Sequence, residues 1–91
     1  MPYFVYILLC ADGTLYTGIT TDVKRRFAEH QSGTGAKYTR AHPPVEILYT
    51  KKVSNRGIAQ KREVAIKKMS RTEKLEFIRV AKNEVSFSGH F

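Results

Sequence analysis

The 91 residues are enough for one domain, and a composition of 42% hydrophobic and 26% charged residues with three Pro and six Gly excludes collagen-like, low-complexity and disordered classes. The longest apolar run, Phe4–Ala11, falls short of the roughly 20 residues of a membrane span and lacks a signal peptide's basic start and cleavage site. Sixteen Lys and Arg against eight Asp and Glu leave a net charge of +8, a field that attracts polyanions, of which nucleic acid is the commonest in the cytoplasm. With a single Cys10 no internal disulfide can form, so a reducing, cytoplasmic setting away from membranes is expected.

Phe4-Val5-Tyr6-Ile7-Leu8-Leu9 is apolar or aromatic at every position. A continuous run of this kind marks a strand covered on both faces and therefore central in its sheet. Ala11-Asp12-Gly13 is a turn signal, and Leu15–Ile19 is a second strand, so the two form a hairpin. A two-residue Asp12-Gly13 turn would set Tyr16 opposite Leu9, whereas a three-residue loop with Gly13 left-handed would set it opposite Leu8. Only the second places Tyr6 and Tyr16 on one face. The turn chemistry fits both.

Thr21-Asp22 caps a helix over Val23–His30, with Val23 and Phe27 on its buried stripe and Arg26 and His30 on an adjoining one. Ser32–Gly35 ends that helix and opens a loop carrying Lys37, Tyr38 and Arg40. A third strand follows over Val45–Tyr49. Ser54 or Asn55 then caps a helix to about Met69, its inward stripe being Ile58, Ala59, Ile66 and Met69, with Glu63 at the margin. Ser70 or Thr72 caps a last helix with Leu75, Ile78 and Ala81 turned inward. The expected order is β-β-α-β-α-α, a single domain over residues 1–82 with a tail over residues 83–91 ending in aromatics. The fold class is α+β.

The polar residues left to explain are Tyr6, Tyr16, Arg26, His30, Lys37, Tyr38 and Glu63. Three scattered His and one Cys make no tetrahedral zinc site, and no Gly-rich loop has the phosphate-cradling spacing. The remaining set suits phosphodiester hydrolysis, which needs a group to activate water, a cation to hold phosphate and charge stabilisation in the transition state. Taken one at a time, each has a plainer role. Tyr6 is a core tyrosine, Tyr16 a cross-strand packing residue, and Arg26 a solvated charge. Glu63 would pair with Lys67, four residues on, and His30 is a cation near a helix C-terminus.

In order, Phe4-Val5-Tyr6, Tyr16-Thr17-Gly18, Asp22-Val23-Lys24-Arg25-Arg26, His30 and Glu63 resemble the GIY-YIG nuclease superfamily, over nearly the whole chain from Tyr3 to about Ile78. The likeness is greatest to its small single-domain bacterial branch. His30-Gln31-Ser32-Gly33 and Gly35-Ala36-Lys37-Tyr38-Thr39 also resemble the nuclease subunit of the eukaryotic Holliday-junction resolvase. The resemblance implies a three-stranded antiparallel sheet with the first strand central, flanked by helices, and both tyrosines on one face. It thereby selects the three-residue loop. It further implies that Tyr6 or Tyr16, with Tyr6 favoured, takes the proton of the attacking water, that Arg26 contacts the scissile phosphate and that His30 supports the base or the leaving group. Glu63 would hold a single Mg²⁺ or Mn²⁺. Phe4 stands where the family's first motif has glycine, and Ile19 where excision-repair relatives carry lysine.

The function so implied is a metal-dependent DNA endonuclease, structure-selective or weakly selective, acting in repair or recombination. Lys37, Tyr38 and Arg40 would form its substrate-facing basic loop. Two other readings share the residues: a basic module that binds DNA or RNA without cutting, and a nuclease inactive until a partner protein supplies specificity. A carboxylate beside phosphate repels it unless a metal intervenes, so Glu63 speaks against a pure binder.

Overall fold

β1 (Tyr3–Cys10) and β2 (Leu15–Thr20) form an antiparallel hairpin in which Tyr6 lies opposite Gly18 and Leu8 opposite Tyr16. The register is that of the three-residue loop. Gly13 N–H donates to the Cys10 carbonyl at 2.8 Å and Cys10 N–H to the Thr14 carbonyl at 2.9 Å. Gly13 has φ 86°, the left-handed conformation that closes such a turn with a bulge and that glycine adopts without penalty. This is a computed structural model; it describes the backbone of residues 1–88 and the side chains of residues 1–82.

β3 (Pro44–Val53) pairs antiparallel with the other side of β1, giving the sheet order β2-β1-β3. The continuous apolar strand is central, with Val5, Ile7 and Leu8 fully buried. β3 runs beyond the expected Val45–Tyr49 because its polar end, Thr50-Lys51-Lys52, pairs with the start of β1 while its side chains stay exposed. Hydropathy gives no sign of such an extension. The register shifts twice along β3: Ile7 faces Tyr49 but Leu8 faces Ile47, and Leu9 faces Glu46 but Cys10 faces Pro44. The first bulge lets the consecutive residues Leu48 and Tyr49 both pack on the same core.

α1 (Val23–Ser32) begins at Asp22, whose carboxylate accepts the Arg25 N–H at 3.1 Å, and ends at a left-handed Gly33. The segment expected as a loop contains a helical turn, α2 (Lys37–Ala41). It has no periodicity to announce it. Thr39 closes it locally by donating its hydroxyl to the Ala36 carbonyl. α3 (Arg56–Lys67) is capped by Asn55 and α4 (Arg71–Ser88) by a reciprocal Ser70–Glu73 box. α4 continues beyond residue 82 into the expected tail because no Gly or Pro intervenes before Gly89. Side chains beyond residue 82, and with them the expected aromatic tail, lie outside the described residues.

One sheet face builds the apolar core. Val5, Ile7, Leu15 and Val53 meet Ala59 and Ile66 of α3 and Ile78 of α4. Ile58 and Leu75, expected inward, are exposed. α4 docks instead through Phe77, whose ring lies 4.9 Å from that of Tyr49. The other face carries Tyr6, Leu8 and Cys10 of β1 with Tyr16 of β2, and α1 and α2 cover it. No helix among the described residues is long and apolar enough to cross a membrane.

Thr17 of β2 points into the apolar core, 3% exposed, and its Oγ1 has no hydrogen-bond partner. A buried hydroxyl without a partner costs about 1–3 kcal/mol. Thr17→Val keeps the branched shape and removes the hydroxyl, so it should raise stability by about 1 kcal/mol, read as a higher urea midpoint at constant m-value. An unchanged or lower midpoint would contradict the packing described.

Candidate active site

The site grows from a missing side chain. Gly18 faces Tyr6 across the hairpin, and the Tyr6 ring leans over it toward β2. A Cβ at Gly18 would overlap the phenol hydroxyl and lie 2.6 Å from its Cζ. The hydroxyl thus held is 3.0 Å from His30 Nε2, and His30 Nδ1 is 2.7 Å from Thr39 Oγ1. Thr39 donates its one hydroxyl proton to the Ala36 carbonyl at 2.9 Å, so toward His30 it is an acceptor. Nδ1 therefore carries the imidazole proton, Nε2 is the bare acceptor, and the Tyr6 O–H donates to it. A single tautomer satisfies every member of the chain.

His30 is fully buried although it sits near the end of a polar helix. Gly35 makes room for it, since a Cβ there would strike Nδ1 and approach His30 Cα to 2.9 Å. Burial, aided by the positive charge of Arg26, holds the imidazole pKa below its ordinary value. Burial also pushes the Tyr6 phenol up to about 12, against the pull of the neighbouring Arg26 guanidinium. The resting pair is a neutral phenol on a neutral imidazole.

Arg26 lies one helical turn before His30. Its guanidinium donates to Glu29 Oε1 at 3.1 Å, and that carboxylate raises its pKa further. The side chain stays one-third exposed, so the fork is oriented yet open to solvent. Glu63 lies on α3, between the inward Ala59 and Ile66, close enough to Tyr6 for its charge to oppose ionisation of the phenol. It also pairs with Lys67 at 3.2 Å. No group of three or more His, Cys, Asp or Glu among the described residues could cage a metal ion. One carboxylate is the donor set of a Mg²⁺ that keeps most of its waters and takes phosphate oxygens, and Glu63, 21% exposed, fits that description once it releases Lys67.

Tyr16 packs edge-on against His30, centroids 5.2 Å apart, and parallel to Tyr38 at 6.5 Å. Tyr38 donates to Asp12 Oδ2 at 2.6 Å and lies 4.8 Å from the His42 ring. That bond, with the Thr14 N–H, draws Asp12 down to about 2. The contacts tie α2 to the β1–β2 turn and bring the exposed Lys37 and Arg40 to the Tyr16 end of the site. Tyr6, Tyr16, Arg26, His30 and Tyr38 thus come together, Glu63 approaches Tyr6 from the α3 layer, and Lys37 and Arg40 share α2 with Tyr38. Four others were not legible as site residues: Thr39, Gly18 and Gly35 act through close contact across the chain, and Glu29 was visible only as an i+3 and i+4 neighbour of Arg26 and Arg25.

A comparison with family models matches residues 2–76 to the GIY-YIG catalytic domain. A UPF0213 protein of Streptococcus agalactiae is 49% identical over 84 residues, 92% of this chain and 96% of its own length. One from Natronomonas pharaonis is 53% identical over 72 residues, 79% and 85% of the two chains. The solution NMR structure of an E. faecalis protein superposes with TM-score 0.62 at 41% identity, covering 90% of this chain and 88% of that one. The Bacillus halodurans UPF0213 protein gives 0.58 at 42%, covering 88% and 85%.

His30 is neutral in the folded protein and below its ordinary pKa. The unfolded chain therefore binds the extra proton more readily, and stability falls as pH drops below about 6.5. Urea unfolding at intervals between about pH 5 and 8 should show the midpoint declining on the acid side. In His30→Gln that part of the decline should vanish. Gly18→Ala should cost about 1–3 kcal/mol by forcing the Tyr6 ring from its place; a Gly18→Ala protein as stable as the parent would show that the ring does not lie there.

Proposed function

The chain belongs to the GIY-YIG catalytic domain family, a family of endonucleases, and from that premise we propose that it is a divalent-metal-dependent DNA endonuclease of repair or recombination, its site formed by Tyr6, Tyr16, Arg26, His30 and Glu63. The observation that carries the reading is the buried chain Tyr6–His30–Thr39 with Arg26 beside it. An oriented proton acceptor next to an open guanidinium is what water attack on a phosphodiester requires.

Tyr6 is the immediate proton acceptor. As water attacks phosphorus, its proton passes to the Tyr6 oxygen while the phenol proton passes to His30 Nε2. The phosphorus–oxygen bond to the leaving group breaks and the electron pair departs with that oxygen. The relay leaves Tyr6 neutral throughout, which avoids the phenolate that burial opposes. Imidazolium forms on His30, whose Nδ1–H is already held by Thr39. Arg26, oriented by Glu29, takes the charge gathering on the phosphate oxygens. Tyr16 packs on the imidazole and fixes its plane. A divalent cation on Glu63 would supply further positive charge to the phosphate. Lys37, Tyr38 and Arg40 would meet the substrate strand beside the site.

The pairing of Glu63 with Lys67 favours one alternative, a module that binds nucleic acid without cutting it. Cleavage of a DNA panel (supercoiled plasmid, single strand, flap, four-way junction) with Mg²⁺, Mn²⁺ or EDTA separates the two. Metal-dependent cutting is expected, and Arg26→Ala and Glu63→Ala, shown folded by circular dichroism, should each lower it by at least about 100-fold. Tyr6→Phe, which breaks the relay with little change of shape, should do the same. Cutting that survives Arg26→Ala and Glu63→Ala would refute this site, and salt-sensitive binding without cutting would turn the reading to the binding module or to a nuclease that needs its partner protein.

A further inference from the structure

At the far end of β2 the sheet edge, α1 and the start of α3 line a wide, open cleft of about 320 Å³. Its walls carry Arg25, Arg26 and Arg56 together with Glu29, Thr20 and Thr21. Three guanidiniums against one carboxylate make it cationic, and the first turn of α3, on which Arg56 sits, adds its partial positive charge. Glu29 is spent on Arg26 at 3.1 Å and more loosely on Arg25 at 3.9 Å. Arg56 has no ion-pair partner among the described residues. Thr20 Oγ1 accepts the Asp22 N–H, which fixes the junction between β2 and α1 that forms one wall. The cleft is a built concavity in which arginines from two helices converge.

Arg26 belongs to this cleft and also stands beside Tyr6. A phosphate held at Tyr6 and Arg26 therefore has the cleft as its nearest cationic neighbour. From Tyr16 to Thr20 the strand advances roughly 13 Å, so a polyanion lying along β2 would pass from the α2 end, over the tyrosines, to Arg56. We propose that the cleft is a second phosphate site, with Arg25 and Arg56 as its ligands, for the phosphodiester neighbouring the scissile one on the same nucleic-acid strand. The identity of that neighbour rests on the nuclease reading; the site's affinity for a nucleic-acid strand does not.

The decisive experiment measures anisotropy of a fluorescent oligonucleotide across a KCl series without divalent metal, for the parent protein, Arg56→Gln, the Arg25→Gln/Arg56→Gln pair and Lys68→Gln. Arg25, Arg56 and Lys68 are all exposed, and Lys68 lies at the opposite end of α3. The slope of log K against log salt should fall by about one for each arginine removed and stay unchanged for Lys68→Gln. Where the parent cuts, the double variant should raise KM about tenfold with kcat unaltered, since neither arginine touches a reacting atom. A parent slope retained in the double variant would overturn the proposal, as would a parent that binds no oligonucleotide at low salt. A parent that binds with the expected slopes and cuts nothing would leave the cleft established and turn the functional reading to the binding module or to a nuclease that needs its partner protein.

Discussion

A histidine with no exposure to solvent must have both ring nitrogens satisfied, and this requirement organises one whole face of the molecule. His30 can be buried only because Tyr6 supplies a donor at Nε2 and Thr39 an acceptor at Nδ1. The Tyr6 hydroxyl reaches its place because Gly18 leaves the pleat open beneath the ring, and the imidazole fits because Gly35 adds nothing beside it. Thr39 is where it is because α2 forms. Remove any one of these and a polar group is left buried without a partner, or a ring is left without space.

The division of labour between the sheet's two faces follows. The face under α3 and α4 is apolar and holds the fold together through Val5, Ile7, Ala59, Ile66 and Ile78. The face under α1 and α2 places its polar atoms along a line from Asp12 through Tyr38, Tyr16 and His30 to Tyr6. At its buried end, from Tyr6 through His30 to Thr39, low dielectric strengthens the bonds and also makes them intolerant of error. The layers meet at the β2 edge, where Glu63 comes from one and Arg26 from the other. Chemistry that needs both a carboxylate and a guanidinium near one phenol could be assembled only at such a seam.

Much of this was legible in the chain itself. The unbroken apolar run from Phe4 to Leu9 located the central strand, and Asp-Gly in the turn limited the hairpin to two registers. The resemblance to the GIY-YIG superfamily chose between them, and the register so implied is the one observed. Local rules also found the Asp22 cap, and they named Asn55 and Ser70 among the options for the next two. What stayed hidden depends on approach between distant segments. α2 has no periodicity, being one turn stabilised by where Thr39 lands. The inward face of α4 centres on Phe77 and Ile78 and not on Leu75, because that helix docks against Tyr49 near the bulge in β3. Arg56 shares no motif or local spacing with Arg25 and Arg26, and only the fold brings α1 and the start of α3 to the same cleft.

The two bulges of β3 have a bearing on life at high protein concentration. Among the described residues β3 pairs within the sheet only with β1, so it forms a sheet edge ten residues long. A straight edge of that length is a template for another strand, and thus for aggregation. Each shift in register interrupts the repeat that an incoming strand would have to match, and Lys51 and Lys52 place two charges on the stretch beyond them. The irregularities that carry Leu48 and Tyr49 into the core therefore also make this edge a poor template for its own copies.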